Sequence, residues 1–169
     1  ILESDYIELK DMAAKFSDSE IAPLAASIDE NSKIPQEVIS KLIENGFLGI
    51  FIPEEYGGAG MDYLSYSIII EELSRGCAST GVFVSAHSSL CTWPILNFGT
   101  EEQKKKYLPQ LASGELVGCF CLSEPNAGSD AGSLTTMAVD KGNHYELTGT
   151  KNWITNGKEA GVAIVFAKT

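Results

Sequence analysis

The sequence predicts an α+β protein, with an N-terminal all-α helical bundle followed by the start of an antiparallel β domain. Two observations carry this. Apolar residues recur every three or four positions through the first two thirds of the 169-residue chain, the period of a helix with one buried face. After Gly114 the pattern shortens to brief apolar runs separated by Gly and Asn, as in strands joined by turns. Helices gathered at one end and strands at the other indicate segregated layers rather than alternating β-α-β units. The boundary is placed near Ser113-Gly114, giving a helical domain over 1–113 and a partial β domain over 114–169.

Each element follows from local signals. Ile7, Met12, Phe16, Ile21, Leu24 and Ile28 mark a first helix from residue 4 to about 27, with a break expected at Pro23, which has no N–H to donate. A second helix starts at Pro35, a favourable first position, and stops at Gly46. A short apolar stretch, 47–53, leads into the Gly57-Gly58-Ala59-Gly60 loop. Asp62 caps a third helix over 63–75, ended by Gly76. A fourth runs from Ser79 to about residue 97, perturbed by Pro94. Thr100-Glu101-Glu102-Gln103 is a capping box that opens a fifth. Strands are expected over 117–122, 134–139, 144–148, 153–154 and 162–167, with Lys141-Gly142-Asn143 as a hairpin turn. Five short strands alone would leave long unpaired edges, so the chain reads as the front part of a larger fold.

Composition narrows the function. The chain is 44% hydrophobic and 21% charged, enough for a packed core. Its net charge is −11, and fifteen of its 23 acids lie between Glu3 and Glu72, against five bases up to Arg75. Such a surface argues against nucleic acid and anionic membranes, which need clustered Lys and Arg. Lys104-Lys105-Lys106 reads as a solvated helix face. Cys77, Cys91, Cys119 and Cys121 have no zinc spacing and read as buried reduced thiols, the last two on one face of a strand. Two histidines do not make a metal site, and no apolar run approaches the ~20 residues that span a membrane. The chain opens at Ile1, without Met or a signal peptide, and reads as processed or trimmed.

The densest polar cluster is Ser123-Glu124-Pro125-Asn126-Ala127-Gly128-Ser129-Asp130, directly after a strand. It is either a plain polar turn or a loop whose N–H groups and Ser129 hydroxyl converge on an anion such as a pyrophosphate. Trp153-Ile154-Thr155-Asn156 offers a large flat ring and a hydroxyl, or a core Trp at a strand end. Gly57-Gly58-Ala59-Gly60 lacks dinucleotide-loop spacing and reads as a structural turn. His87 reads as a satisfied helix histidine. Glu71 and Glu72, adjacent on a helix, are not a paired-acid site, and the acids of the early helices read as solvated. No catalytic residue and no metal ligand is assigned.

Tyr56-Gly57-Gly58-Ala59-Gly60, the 74–82 stretch Ser-Arg-Gly-Cys-Ala-Ser-Thr-Gly-Val, the 98–104 stretch Phe-Gly-Thr-Glu-Glu-Gln-Lys, residues 122–130 and Gly149-Thr150-Lys151-Asn152-Trp153-Ile154-Thr155-Asn156 together resemble acyl-CoA dehydrogenases. Residues 85–90 and Trp93-Pro94-Ile95 resemble the short-chain, butyryl-type members. The resemblance implies an N-terminal helical domain, a middle β domain and a C-terminal helical bundle that carries the catalytic base. It also implies FAD, a short-chain acyl-CoA oxidised to the trans-2-enoyl-CoA in β-oxidation, and electron-transfer flavoprotein as acceptor. It further implies a homotetramer, in the mitochondrial matrix or a bacterial cytoplasm.

Residue by residue, it implies flavin contacts from Phe120, Leu122, Ser123, Gly128, Ser129, Trp153, Ile154 and Thr155, with Ser129 also meeting the CoA portion. Trp153 would pack on the flavin and Thr155 would sit close to N5. Ser123 stands where the family often has Thr, and Asn126 where Gly is common. By the same resemblance the 169 residues alone would be inactive. A branched-chain acyl-CoA dehydrogenase, an acyl-CoA oxidase and a non-catalytic flavin- or acyl-CoA-binding protein stay open as alternatives.

Overall fold

The computed structural model describes residues 3–169. Helix α1 (Ser4–Phe16) lies against α4 (Tyr63–Gly76). Glycine permits the close approach at its end: a Cβ on Gly76 would stand 2.2 Å from Ser17 Oγ, which donates to the Glu72 carbonyl at 2.7 Å. The expected break at Pro23 is present. The chain widens to a π turn over Ser17–Ile21, tightens to a 3₁₀ turn over Ala22–Leu24, and restarts as α2 (Ala25–Asn31). The missing proline N–H makes a regular ladder impossible there. Helix α3 (Gln36–Glu44) ends before Gly46, whose φ of 71° reverses the chain.

The apolar stretch after α3 wedges into the bundle. Phe47, Leu48, Ile50 and Ile52 are buried, and Phe47 meets Phe16 edge-on at 5.1 Å. The glycine loop is structural: a Cβ on Gly58 would lie 2.1 Å from the Ile52 carbonyl oxygen. Asp62 Oδ1 accepts from the Ser65 N–H at 2.8 Å and caps α4 as expected. Glu71 is exposed, but Glu72 is buried between Lys10 and Arg75, contrary to the expectation of solvated acids on the early helices. Leu73 and Val84, both fully buried, tie α4 to α5 (Ala78–Ser85).

Beyond α5 the helix continues through a π segment, Ala86–Thr92, into α6 (Trp93–Phe98). Pro94 cannot donate one turn back, and the widened pitch lies immediately upstream of it. Helix α7 (Glu101–Ala112) opens on both halves of the capping box, with Gln103 N–H to Thr100 Oγ1 at 3.3 Å and Thr100 N–H to Gln103 Oε1 at 2.8 Å. Among the described residues no helix is long and apolar enough to cross a membrane.

The sheet region contains β1 (Gly118–Cys121), β2 (Met137–Asp140), β3 (Tyr145–Thr148) and β4 (Val162–Val165). Helices first and strands after is the expected layout. Pairing departs from a wholly antiparallel sheet: β2 and β3 form an antiparallel hairpin, but β1 and β4 run parallel, Gly118 opposite Val162 and Cys121 opposite Val165. The chain travels from 121 to 162 before returning, long enough for a crossover connection. A parallel bridge, Met137 to Lys168, joins the two pairs. Strand β2 starts later than expected because the Thr135 and Thr136 N–H groups are spent on Glu124. Trp153–Ile154, expected as a strand, is an irregular turn.

Gly118 is where β1 meets the π segment: a Cβ there would stand 2.5 Å from both Cβ and Sγ of Cys91. Gly118→Ala is expected to destabilise the protein by about 1–3 kcal/mol through overpacking, measured as a lowered urea midpoint at unchanged slope.

Candidate functional site

Two segments far apart in sequence lie side by side beyond β1. One is Leu122-Ser123-Glu124; the other is Lys151-Asn152-Trp153. The Asn152 N–H donates to the Ser123 carbonyl at 2.9 Å. Lys151 Nζ donates to the Leu122 carbonyl at 3.0 Å and to Glu124 Oε1 at 2.8 Å. Glu124 also accepts the Thr135 N–H at 2.6 Å, the Thr135 hydroxyl at 2.8 Å and the Thr136 N–H at 3.0 Å. The Lys151 ammonium first, then the Thr136 and Thr135 donors, hold this buried carboxyl well below the usual carboxylate range, so it stays ionised.

The joined segments frame a cleft of about 190 Å³, lined by Phe120, Leu122, Ser123, Trp153, Ile154 and Thr155, with Ala86 and Leu90 from the π segment. Six of the eight flavin-contact residues expected from the sequence are therefore neighbours. Gly128 and Ser129 are not part of the lining. They lie exposed beyond a tight turn in which Glu124 and Ala127 exchange N–H···O bonds of 2.9 and 3.2 Å. Phe120 packs edge-on to Phe166 at 5.0 Å. Its strand neighbours Cys119 and Cys121 project to the opposite face, their sulfurs 3.8 Å apart, as alternation requires.

Trp153 is the outlier. Its φ is 58°, in the left-handed region rarely used by bulky residues, and it is 90% exposed. The turn that holds it is pinned by Asn156, whose φ is 63° and whose buried Nδ2 donates to the Phe83 and Gly118 carbonyls at 3.0 and 3.2 Å. Two left-handed residues within four cannot continue a strand. The result is a large apolar ring beside a hydroxyl-bearing slot.

His87 differs from its expected role. It is fully buried, and its Nδ1 accepts the Gly118 N–H at 3.1 Å, which leaves the proton on Nε2. Nε2 has no hydrogen-bond partner among the described residues, so the ring is only half satisfied. Burial pushes its pKa down to about 4 and that of the Cys91 thiol up to about 12. Neither group ionises near neutrality.

Sequence reasoning did not find the Glu124–Lys151 pair, the His87–Gly118 bond or the Asn156 pin. Only the last left a trace: Asn156-Gly157 is a dipeptide that favours left-handed turns. A larger groove, about 470 Å³, lies between α6, α7 and β4, but its Gln103 side chain already serves the α7 cap. The smaller cleft gathers the functional groups. It is walled by aromatic and aliphatic side chains with two hydroxyls, and among the described residues no acid or base lines it.

Residues 3–115 match the family described as acyl-CoA dehydrogenase, N-terminal domain, and residues 119–169 match acyl-CoA dehydrogenase, middle domain. The chain is 49% identical over 161 residues to a short-chain specific acyl-CoA dehydrogenase of Clostridium acetobutylicum, covering 95% of this chain and 42% of the relative. It is 48% identical to the mitochondrial short-chain specific acyl-CoA dehydrogenase of Bos taurus, covering 95% and 39%. A solved Bacillus anthracis acyl-CoA dehydrogenase complexed with FAD is similar with a TM-score of 0.91 and 38% identity, over 99% of this chain and 29% of that one. The chain thus spans well under half of the relatives it matches.

The depressed pKa of His87 has a pH consequence. Between pH ~6.5, the ordinary histidine value, and about 4, the unfolded chain takes up a proton that the folded ring refuses, so stability falls as pH is lowered. His87→Leu is expected to remove that part of the acid slope, while costing about 1–3 kcal/mol at pH 7 because the Gly118 N–H loses its acceptor. Chemical denaturation at pH 7 and pH 5 measures both, and nitrogen NMR of the imidazole should show a neutral ring with its proton on Nε2 at pH 6.

Proposed function

The chain belongs to the acyl-CoA dehydrogenase family, and from that premise we propose that it forms the helical domain, 1–113, and part of the β domain, 114–169, of an FAD-dependent dehydrogenase of short-chain acyl-CoA thioesters. The observation that carries the reading is the exposed Trp153 indole, held at a left-handed backbone angle on the rim of a cleft lined by Phe120, Leu122, Ser123 and Thr155. A ring of that size in water is costly unless a planar partner covers it.

FAD, when bound, supplies the hydride acceptor for oxidation of the Cα–Cβ bond of the thioester. The chain's own residues hold and orient. Trp153 and Ile154 would cover one face of the flat ring. Phe120 and Leu122 bound the other segment. The Ser123 and Thr155 hydroxyls would supply polar contacts to it, and a donor such as Thr155 would stabilise charge as it develops on the ring. Gly128 and Ser129 lie exposed beyond the Glu124–Ala127 turn and would meet the phosphates and the CoA portion. No residue of the cleft removes the α proton. Glu124, the carboxylate beside it among the described residues, is locked to Lys151 and faces three further donors. The base is therefore assigned outside these residues. Electron-transfer flavoprotein as acceptor, a homotetrameric assembly, and a mitochondrial or bacterial cytoplasmic location complete the proposal.

The test uses the natural protein that contains these residues. Trp153→Ala is expected to weaken FAD retention roughly tenfold, as loss of one aromatic stacking partner implies, and to lower turnover of butyryl-CoA at limiting FAD. Flavin content after gel filtration and dye reduction measure the two. Parent-like occupancy and turnover would remove Trp153 and its cleft from the flavin site.

A further inference from the structure

The Glu124–Lys151 pair has no part in the chemistry proposed above, yet its geometry reaches further than neutralising a buried charge requires. Both side chains are nearly enclosed, at 3% and 11% exposure. Glu124 already accepts three hydrogen bonds from Thr135 and Thr136. Lys151 adds a fourth and turns a second hydrogen on the Leu122 carbonyl at 3.0 Å. That second bond does nothing for the carboxylate. What it fixes is a peptide plane.

A trans peptide is rigid, and its C=O and N–H point in opposite directions. With the Leu122 carbonyl held by Lys151, the Ser123 N–H of the same plane must point away from Lys151. Among the described residues it donates to no main-chain carbonyl. The next carbonyl along, that of Ser123, is held by the Asn152 N–H at 2.9 Å. Two successive carbonyls of one segment are thus anchored by two successive residues of the other, immediately before Trp153.

We propose that Lys151, held in place by Glu124, is a positioning residue: it sets the orientation of the Leu122–Ser123 peptide and its spacing from Trp153, and so presents the Ser123 N–H as a donor to a planar ring bound in the cleft. The inference rests on the reading of this cleft as the flavin platform. A lone ion pair would serve stability at most; the shared Leu122 carbonyl makes this one a gauge between the two sides of the site. Charge-assisted bonds of this kind are short and directional, suited to holding a plane in place.

The experiment compares the parent, Lys151→Met and Lys151→Arg in the natural protein that contains these residues. Flavin affinity, the visible circular dichroism of bound flavin, and kcat and KM for butyryl-CoA are measured. Lys151→Met is expected to bind FAD roughly tenfold more weakly, to change the visible dichroism, and to lose kcat with little change in KM. Lys151→Arg keeps the charge, but its broad planar head cannot sit at the same point, so its affinity should fall between the two and its dichroism should still differ from the parent. If Lys151→Met does not fold, Lys151→Arg decides alone. Parent-like affinity and dichroism in whichever variant folds, even with a lowered melting temperature, would overturn the positioning role and leave a structural ion pair. A parent that holds no flavin would instead sink the platform reading and this inference with it.

Discussion

Everything beyond residue 113 depends on how β1 is fastened to the π segment, Ala86–Thr92. A strand leaving a helical bundle carries main-chain donors that must find acceptors or remain in water. Here the first N–H of β1, that of Gly118, donates to the buried imidazole of His87, and the first carbonyl accepts from the side-chain amide of Asn156. Cys91 closes over Gly118 at a distance only glycine allows. The wide helical pitch turns His87 and Cys91 toward the strand, while Ala86 and Leu90 of the same turn line the cleft. One irregular turn, set next to Pro94, therefore serves both the junction and the site. This is why a half-satisfied histidine is tolerated there: replacing it with an apolar side chain would leave the strand's first donor orphaned instead.

The second requirement is set by Glu124. A carboxylate this enclosed must be neutralised by a partner or by several donors, and it has both. The cost of burying it is offset only if three separate segments, around 122–124, 135–136 and 151, all arrive. Buried ion pairs are poor evidence of net stability because desolvation consumes much of their attraction. Their effect is more visible in what they forbid. A shift of the 151–155 segment by one residue would leave Glu124 unpaired, so alternative registers of the cleft are penalised heavily. Gly149 belongs to the same constraint, since a Cβ there would meet Thr136 Oγ1 at 2.2 Å.

What was legible in the sequence was local. Asp62, Thr100 with Gln103, Pro23 and Gly46 act within four or five residues, and the caps and breaks they signal are present. The parallel partner of β1 was not legible, because pairing Gly118 with Val162 depends on a return over some forty residues and not on any nearby period. Trp153–Ile154 looked like a strand because two apolar side chains suffice for that pattern; the left-handed angles at Trp153 and Asn156 are imposed by bonds to Phe83 and Gly118. The resemblance supplied residue names for the cleft. It included Lys151 in the 149–156 stretch but gave it no role, and its partner Glu124 lies 27 residues away in sequence.

The placement of charge separates holding from chemistry. Glu72 is engaged by Lys10 and Arg75, and Glu124 by Lys151. The buried thiol of Cys91 and the ring of His87 are held neutral. Among the described residues no titratable side chain lines the cleft, so none of them competes there for a proton or places a fixed charge on a bound ring. Such a surface can bind a planar group, aim its polar edge at hydroxyls and main-chain donors, and keep water from one face. It cannot move a proton from carbon, because a base must stand within about 3 Å of the atom it relieves, and a carboxylate clamped by four donors has neither the reach nor the basicity. By their geometry and charge these residues are suited to hold and orient a ligand rather than to take a proton from it.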